Sequence, residues 1–185
     1  AIDEKGKILI PSFALERNQE NIFVLEKMNR NGQIPMIPVF VDSPMAINIT
    51  EIFSRHLDGF SFSPEFKDYV AKEGDPFDFK AIKYVRTSQE SQTLNDRKGP
   101  MIILSASGMC EGGRILHHLR NNLDKDTTTI LMVGYQAQGT LDWIGLNYYM
   151  RNDAFFNLRL LHKLGIDYGP RPGKPRGPEG WGEIY

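Results

Sequence analysis

Short apolar runs alternate along this chain with longer segments in which apolar positions recur every three or four residues. Lys7-Ile-Leu-Ile10 is closed by Pro11, and Glu16 to Asn31 then carries Ile22, Leu25 and Met28 before Gly32. A brief apolar run bounded by a turn residue reads as a buried strand, and the wider recurrence that follows reads as a helix with a glycine stop. Pro38-Val-Phe-Val41 repeats the pattern, with Ser43 and Pro44 as a cap and first-turn pair ahead of Met45, Ile49, Ile52 and Phe53. Ser63-Pro64-Glu65 opens another short helix through about Lys72. Ile82-Lys-Tyr-Val85 leads into a brief helix over Ser88 to Leu94. Met101 to Leu104 is a fourth strand with a helix from about Gly112 to Asn122, and Thr128 to Val133 is a fifth. No internal repeat is visible.

Strands alternating with helices predict an α/β fold: a mostly parallel, doubly wound, Rossmann-like sheet with helices on both faces. Parallel neighbours need long connections, and those connections cross over with one hand. In such a sheet the carboxyl ends of the strands lie on one edge, where ligands bind. The unusual sequences follow those ends. They are Pro11-Ser-Phe-Ala-Leu-Glu-Arg17, Asp42-Ser-Pro-Met-Ala46, Ser105-Ala-Ser-Gly-Met-Cys-Glu-Gly-Gly-Arg114 and Gly134-Tyr-Gln-Ala-Gln-Gly-Thr140.

Composition narrows the possibilities. With 185 residues, 41% of them hydrophobic, the chain can bury one core and carry an appendage. No apolar run approaches the roughly 20 residues needed to cross a bilayer, so no membrane association is expected. The start at Ala1, without an initiator Met or an apolar leader, leads us to expect a piece of a larger protein. A net charge of −1 excludes a general polyanion sponge and leaves only local clusters for nucleic-acid contact. The single cysteine, Cys110, excludes an internal disulfide and fits a reducing, cytoplasmic compartment.

The stretch from Ser105 to Arg114 carries the most chemistry. A buried strand breaking into a small, glycine-rich loop that feeds a helix can point several backbone N–H groups at one anion, for which phosphate is the natural candidate. Gly108, Gly112 and Gly113 allow the close approach, Ser105 and Ser107 offer hydroxyls, and the Arg114 guanidinium can add a bidentate contact. The competing reading is a tight turn with a solvated arginine. Asp42 is expected to organise the turn before Ser43-Pro44, not to act as a catalytic acid. His117 and His118 are neighbours on a helix, about 100° apart, so only one, taken as His118, faces the cleft. Gln136, Gln138 and Thr140 follow the last strand and can reach ribose or phosphate oxygens, or else line a polar loop. Cys110 reads as a small buried or semi-buried thiol.

The four strand-end stretches, in that order and together with Tyr84-Val-Arg-Thr-Ser-Gln-Glu-Ser-Gln-Thr-Leu-Asn95, resemble the β-CASP cassette of the metallo-β-lactamase-fold nucleases. The resemblance covers roughly residues 5 to 141. It implies a clamp that closes over RNA above a dinuclear zinc site whose ligands come from a separate metallo-β-lactamase domain. It also implies a phosphate-side role for Arg17, since the family pattern carries an arginine there. The chain departs from the pattern at Glu16, where the family has Gly, and at Asp142-Trp143, where it would continue Gly-Arg. The family's His-x-His-x-Asp-His run does not occur, and the four histidines His56, His117, His118 and His162 have no such spacing. Catalytic zinc needs about three protein ligands and an open position, so no metal is expected on this chain and no hydrolysis by it alone.

Residues 142 to 185 follow a different pattern and are expected to form a second, less regular unit after a domain over 1 to 141. Asp142-Trp-Ile-Gly-Leu-Asn-Tyr-Tyr149 and Gly180-Trp-Gly-Glu-Ile-Tyr185 resemble pieces of the family-1 retaining β-glycosidases, in which Asn147 and Tyr148 or Tyr149 would line a sugar site. That chemistry needs two carboxylates roughly 5 to 5.5 Å apart. Neither of the family's glutamate motifs is present. An edge strand over Ile144 to Tyr149, a helix over Phe155 to Leu164 and an irregular Gly169 to Pro178 are expected, making the chain a composite. The leading expectation is therefore the RNA-holding part of a zinc-dependent ribonuclease. The alternatives are a self-contained phosphate or nucleotide module and an inert composite fragment.

Overall fold

The computed structural model describes residues 2–58 and 62–136. Among them β1 (Lys7–Pro11), β2 (Val39–Val41), β3 (Ile82–Tyr84), β4 (Met101–Ser105) and β5 (Thr129–Ile130) form one sheet, ordered β3-β2-β4-β1-β5. Every pairing in it is parallel. Five helices alternate with the strands: α1 (Arg17–Arg30), α2 (Pro44–Arg55), α3 (Pro64–Glu73), α4 (Ser88–Asp96) and α5 (Arg114–Asn122). The elements follow the hydrophobic pattern, mostly within two residues at each end. β5 is the exception: its ladder covers Thr129–Ile130 instead of Thr128 to Val133, although Leu131 N–H still donates to Leu9 O at 2.9 Å.

Successive side chains on a strand point to opposite faces, so an apolar run in mid-sheet fills two cores at once. Ile8, Ile10, Val39, Val41, Ile102 and Leu104 pack with Ile22 of α1, Ala46 and Ile47 of α2 and Phe66 of α3. Leu9, Phe40, Met101 and Ile103 pack with Leu94 of α4 and Ile115 and Leu119 of α5. The sheet is thus doubly wound. From β1 to β3 the chain moves toward one edge, and from β3 to β5 it moves toward the other, so crossovers of one hand deliver the two groups of helices to opposite faces. β2 and β4 are neighbours, with Val41 opposite Leu104, yet the chain leaves them for opposite faces. Their carboxyl ends flank the crevice in which such sheets bind ligands.

The helix starts have local causes. Ser43 caps α2 by accepting from Ala46 N–H at 3.3 Å, with Pro44 in the first turn. Ser63 does the same for α3 from Phe66 N–H at 3.2 Å. Thr87 and Glu90 form a reciprocal capping box on α4. α5 is different: its cap is Gly113, at φ 76, and no side chain caps it. A Cβ at Gly113 would lie 2.3 Å from Ala106 O, so the loop closes only over glycine. No described helix is long and apolar enough to cross a membrane. The expected boundary after residue 141, and the strand and helix expected within 142–185, lie outside the described residues.

Candidate functional site

The strand-end loops meet on one rim. Ser12 N–H donates to Ser105 O at 3.0 Å, joining the exits of β1 and β4, and Asp42 N–H donates to Leu104 O at 2.8 Å, joining those of β2 and β4. The segment after β5 reaches the same place, where Gln136 Nε2 donates to Gly108 O at 2.7 Å. Gly108 is packed so closely against Phe13 that a Cβ there would lie 2.8 Å from Phe13 N and 2.9 Å from its ring.

Beneath the rim Asp42 is the hub. It has no solvent exposure, and its carboxylate accepts from Arg114 Nη1 at 2.7 Å and Ser91 Oγ at 2.5 Å. His118 Nε2 lies 2.6 Å from Asp42 Oδ2, while His118 Nδ1 faces Asn95 Oδ1 at 3.1 Å. Arg114 also donates to Val85 O at 3.0 Å and Arg86 O at 2.8 Å, and Ser105 Oγ donates to Asp42 O at 2.8 Å. Burial alone would raise the Asp42 carboxyl's pKa. The hydrogen bonds from His118, Ser91 and Arg114, with the His118 charge, outweigh that and hold it below the usual carboxylate range. An unpaired carboxylate here would cost several kcal/mol, on the order seen when buried charges lose partners. The hub therefore locks the exits of β2, β3 and β4 to α4 and α5.

This geometry divides the residues singled out from sequence. Arg114, expected to face an anion, instead faces Asp42 and two carbonyls. His118 and Ser105, also expected to touch phosphate, are fully buried inside the hub. Asp42 ties elements together across the fold, and the turn role expected of it falls to Ser43. Arg17 pairs with Glu20 at 2.7 Å on the surface, and His117 is exposed. Ser107, Gly108, Gly112, Gly113 and Gln136 do come together at the rim. Ser107 Oγ accepts from Glu111 N–H at 3.3 Å, and Ser107 N–H donates to Gly112 O at 3.2 Å. The Gly112 and Gly113 amides, leading into α5, have no intramolecular partner among the described residues. Space beside Gly112 is open. Thr140 and Gln138 lie outside the described residues. Cys110 is buried, which pushes its thiol up to about 11.

Ser91 and Asn95 were not picked out from sequence as parts of the site. The only signal was their place in the Tyr84 to Asn95 stretch, because a single polar residue on a short helix does not reveal that its partner lies 49 positions away. Among the described residues no group of three or more His, Cys, Asp or Glu side chains is placed to hold a metal ion. Asp42 and His118 are already turned toward each other and toward Ser91, Arg114 and Asn95. The zinc that the resemblance implies does not fit these residues, and no catalytic step is assigned to them.

Comparison with known proteins agrees with the architecture. The chain is 38% identical over 140 residues to a ribonuclease from Thermus thermophilus, an overlap of 76% of this chain and 32% of that protein. It is 32% identical over 141 residues to the transcription termination factor FttA of Methanosarcina mazei, covering 76% of this chain and 22% of the factor. An RNase J-like protein of Methanocaldococcus jannaschii is 33% identical over 140 residues, covering 76% and 31%. The chain thus spans about a third or less of the length of these curated relatives. The Beta-Casp domain model matches residues 18–142. With that match over most of its length, and with the doubly wound sheet and shared strand-end rim in place, the chain belongs to the Beta-Casp domain family, the cassette of metallo-β-lactamase-fold nucleases.

Proposed function

We propose that this chain is the RNA-holding part of a β-CASP ribonuclease, and that a metallo-β-lactamase domain elsewhere supplies zinc and performs the cleavage. The convergence of the loops after β1, β2, β4 and β5 on one rim is the observation that carries this proposal. The names of the relatives point the same way. The phosphate contact is assigned to the Gly112 and Gly113 amides, which have no partner among the described residues, and to the Ser107 hydroxyl at the start of α5. There the helix dipole favours negative charge and no guanidinium is required. Arg114 serves by fixing that helix end. Arg17 keeps a peripheral role, limited by its bond to Glu20.

Titrating labelled single-stranded RNA at several salt concentrations tests the proposal. Binding should weaken with salt, with a log–log slope of roughly −0.7 per phosphate neutralised. Tighter binding of a mononucleotide would favour a self-contained nucleotide module. Binding of neither would leave a fragment with no ligand role.

A further inference from the structure

The rim carries two aromatic side chains that the amide-and-phosphate account leaves unused. Phe13, after β1, is 37% exposed, and Tyr135, after β5, is 76% exposed. Their setting is built. Gly108 on one side of Phe13 admits no side chain, since a Cβ there would meet the ring at 2.9 Å. Gly134 comes near the same ring, where an added Cβ would sit 3.8 Å from Cε2 and 4.0 Å from Cδ2. Tyr135 sits between Gly134, which is near Phe13, and Gln136, whose Nε2 donates to Gly108 O at 2.7 Å. The side chain that follows it is anchored to the loop after β4, while the Tyr135 ring stands in solvent.

Among the described residues three arginines in or beside these loops have carboxylate partners, and only that of Arg114 is buried. Arg17 is paired with Glu20, Arg86 with Glu51, and Arg114 with Asp42. These exposed pairs can still exchange partners with phosphate, but cations grip the backbone and not the bases, so flat apolar contact would add affinity that depends on the bases and not on salt. Every base has a π-face, and aromatic rings beside a backbone-tracking surface are how proteins hold single strands without reading sequence. We propose that Phe13 and Tyr135 form a platform on which an unpaired base of the bound RNA stacks; this rests on the RNA-holding role given above.

The test compares a labelled oligoadenylate with an abasic oligomer of the same length, on the full chain and on Tyr135→Ala and Tyr135→Phe, across a salt series. Wild type should bind the oligoadenylate about 10- to 100-fold more tightly than the abasic strand, the equivalent of one base–aromatic stack. Tyr135→Ala should lose that factor on the oligoadenylate and almost nothing on the abasic strand, and Tyr135→Phe should keep it. The salt slope should be the same for all three proteins, because stacking releases no counterions. Salt-dependent binding that ignores the presence of bases, or an equal loss on both oligomers in Tyr135→Ala, overturns the platform while the RNA-holding role stands, and leaves the aromatic pair to a protein surface. Absence of salt-dependent binding to either oligomer overturns both.

Discussion

At Asp42 a carboxylate without solvent exposure faces one guanidinium, one imidazole and one hydroxyl. Removing one partner of a buried pair leaves a charge that neither water nor protein satisfies, a loss of about 3 to 5 kcal/mol. Arg114→Ala should lower the urea unfolding free energy on that scale, with Arg114→Lys in between because lysine cannot keep the fork to the carboxylate and both carbonyls. RNA affinity in Arg114→Ala is for the same reason no measure of a phosphate contact. The pH dependence follows from the depressed Asp42 pKa. The carboxylate's contribution is fully present above its unfolded value, near pH 4, and is lost as pH falls through the lower folded value. Urea midpoints measured downward from pH 5 should drop, and Asp42→Asn should flatten that part of the curve. Cys110 is the other residue with a clear expectation. Its thiol is buried and pushed up to about 11, so at neutral pH a thiol reagent should label it only after denaturant is added.

Among the helices, the two cap types predict different penalties. Ser43→Ala removes the acceptor for Ala46 N–H and should cost about 1 kcal/mol in chemical denaturation, the usual value of an N-cap. Gly113→Ala should cost more, since it combines a positive φ with a 2.3 Å collision against Ala106 O. It also moves the amide row ahead of α5, so its RNA affinity should fall beyond what the loss of folded protein explains. Comparing binding at a temperature where both proteins remain folded would check this.

At the scale of the whole molecule, the chain by itself is expected to bind RNA without cutting it. Two-thirds or more of the length of each of the relatives compared lies outside the stretch this chain matches. Among the described residues no cluster is placed to hold a metal. Adding Zn²⁺ to the purified chain should therefore leave labelled RNA intact while binding persists. Chelator-sensitive turnover would show that a metal site is assembled in this chain after all.

The linear order of apolar runs and turn residues determined the α/β class, the positions of the elements and the edge on which the unusual loops gather. Those follow from local periodicity and from the requirement that parallel strands be joined by long crossovers. The short β5 ladder was not legible, because where pairing stops depends on the neighbouring strand and not on the apolar run itself. The roles of Arg114, His118 and Ser105 were decided only in three dimensions. Nothing in Ser105-Ala-Ser-Gly-Met-Cys-Glu-Gly-Gly-Arg114 says that the guanidinium turns inward, because the charge it answers, on Asp42, lies 72 residues away in the loop after β2. Sequence alone marks a residue as able to grip an anion; only the folded chain, by burying a carboxylate within 2.7 Å of it, decides that the anion is the protein's own.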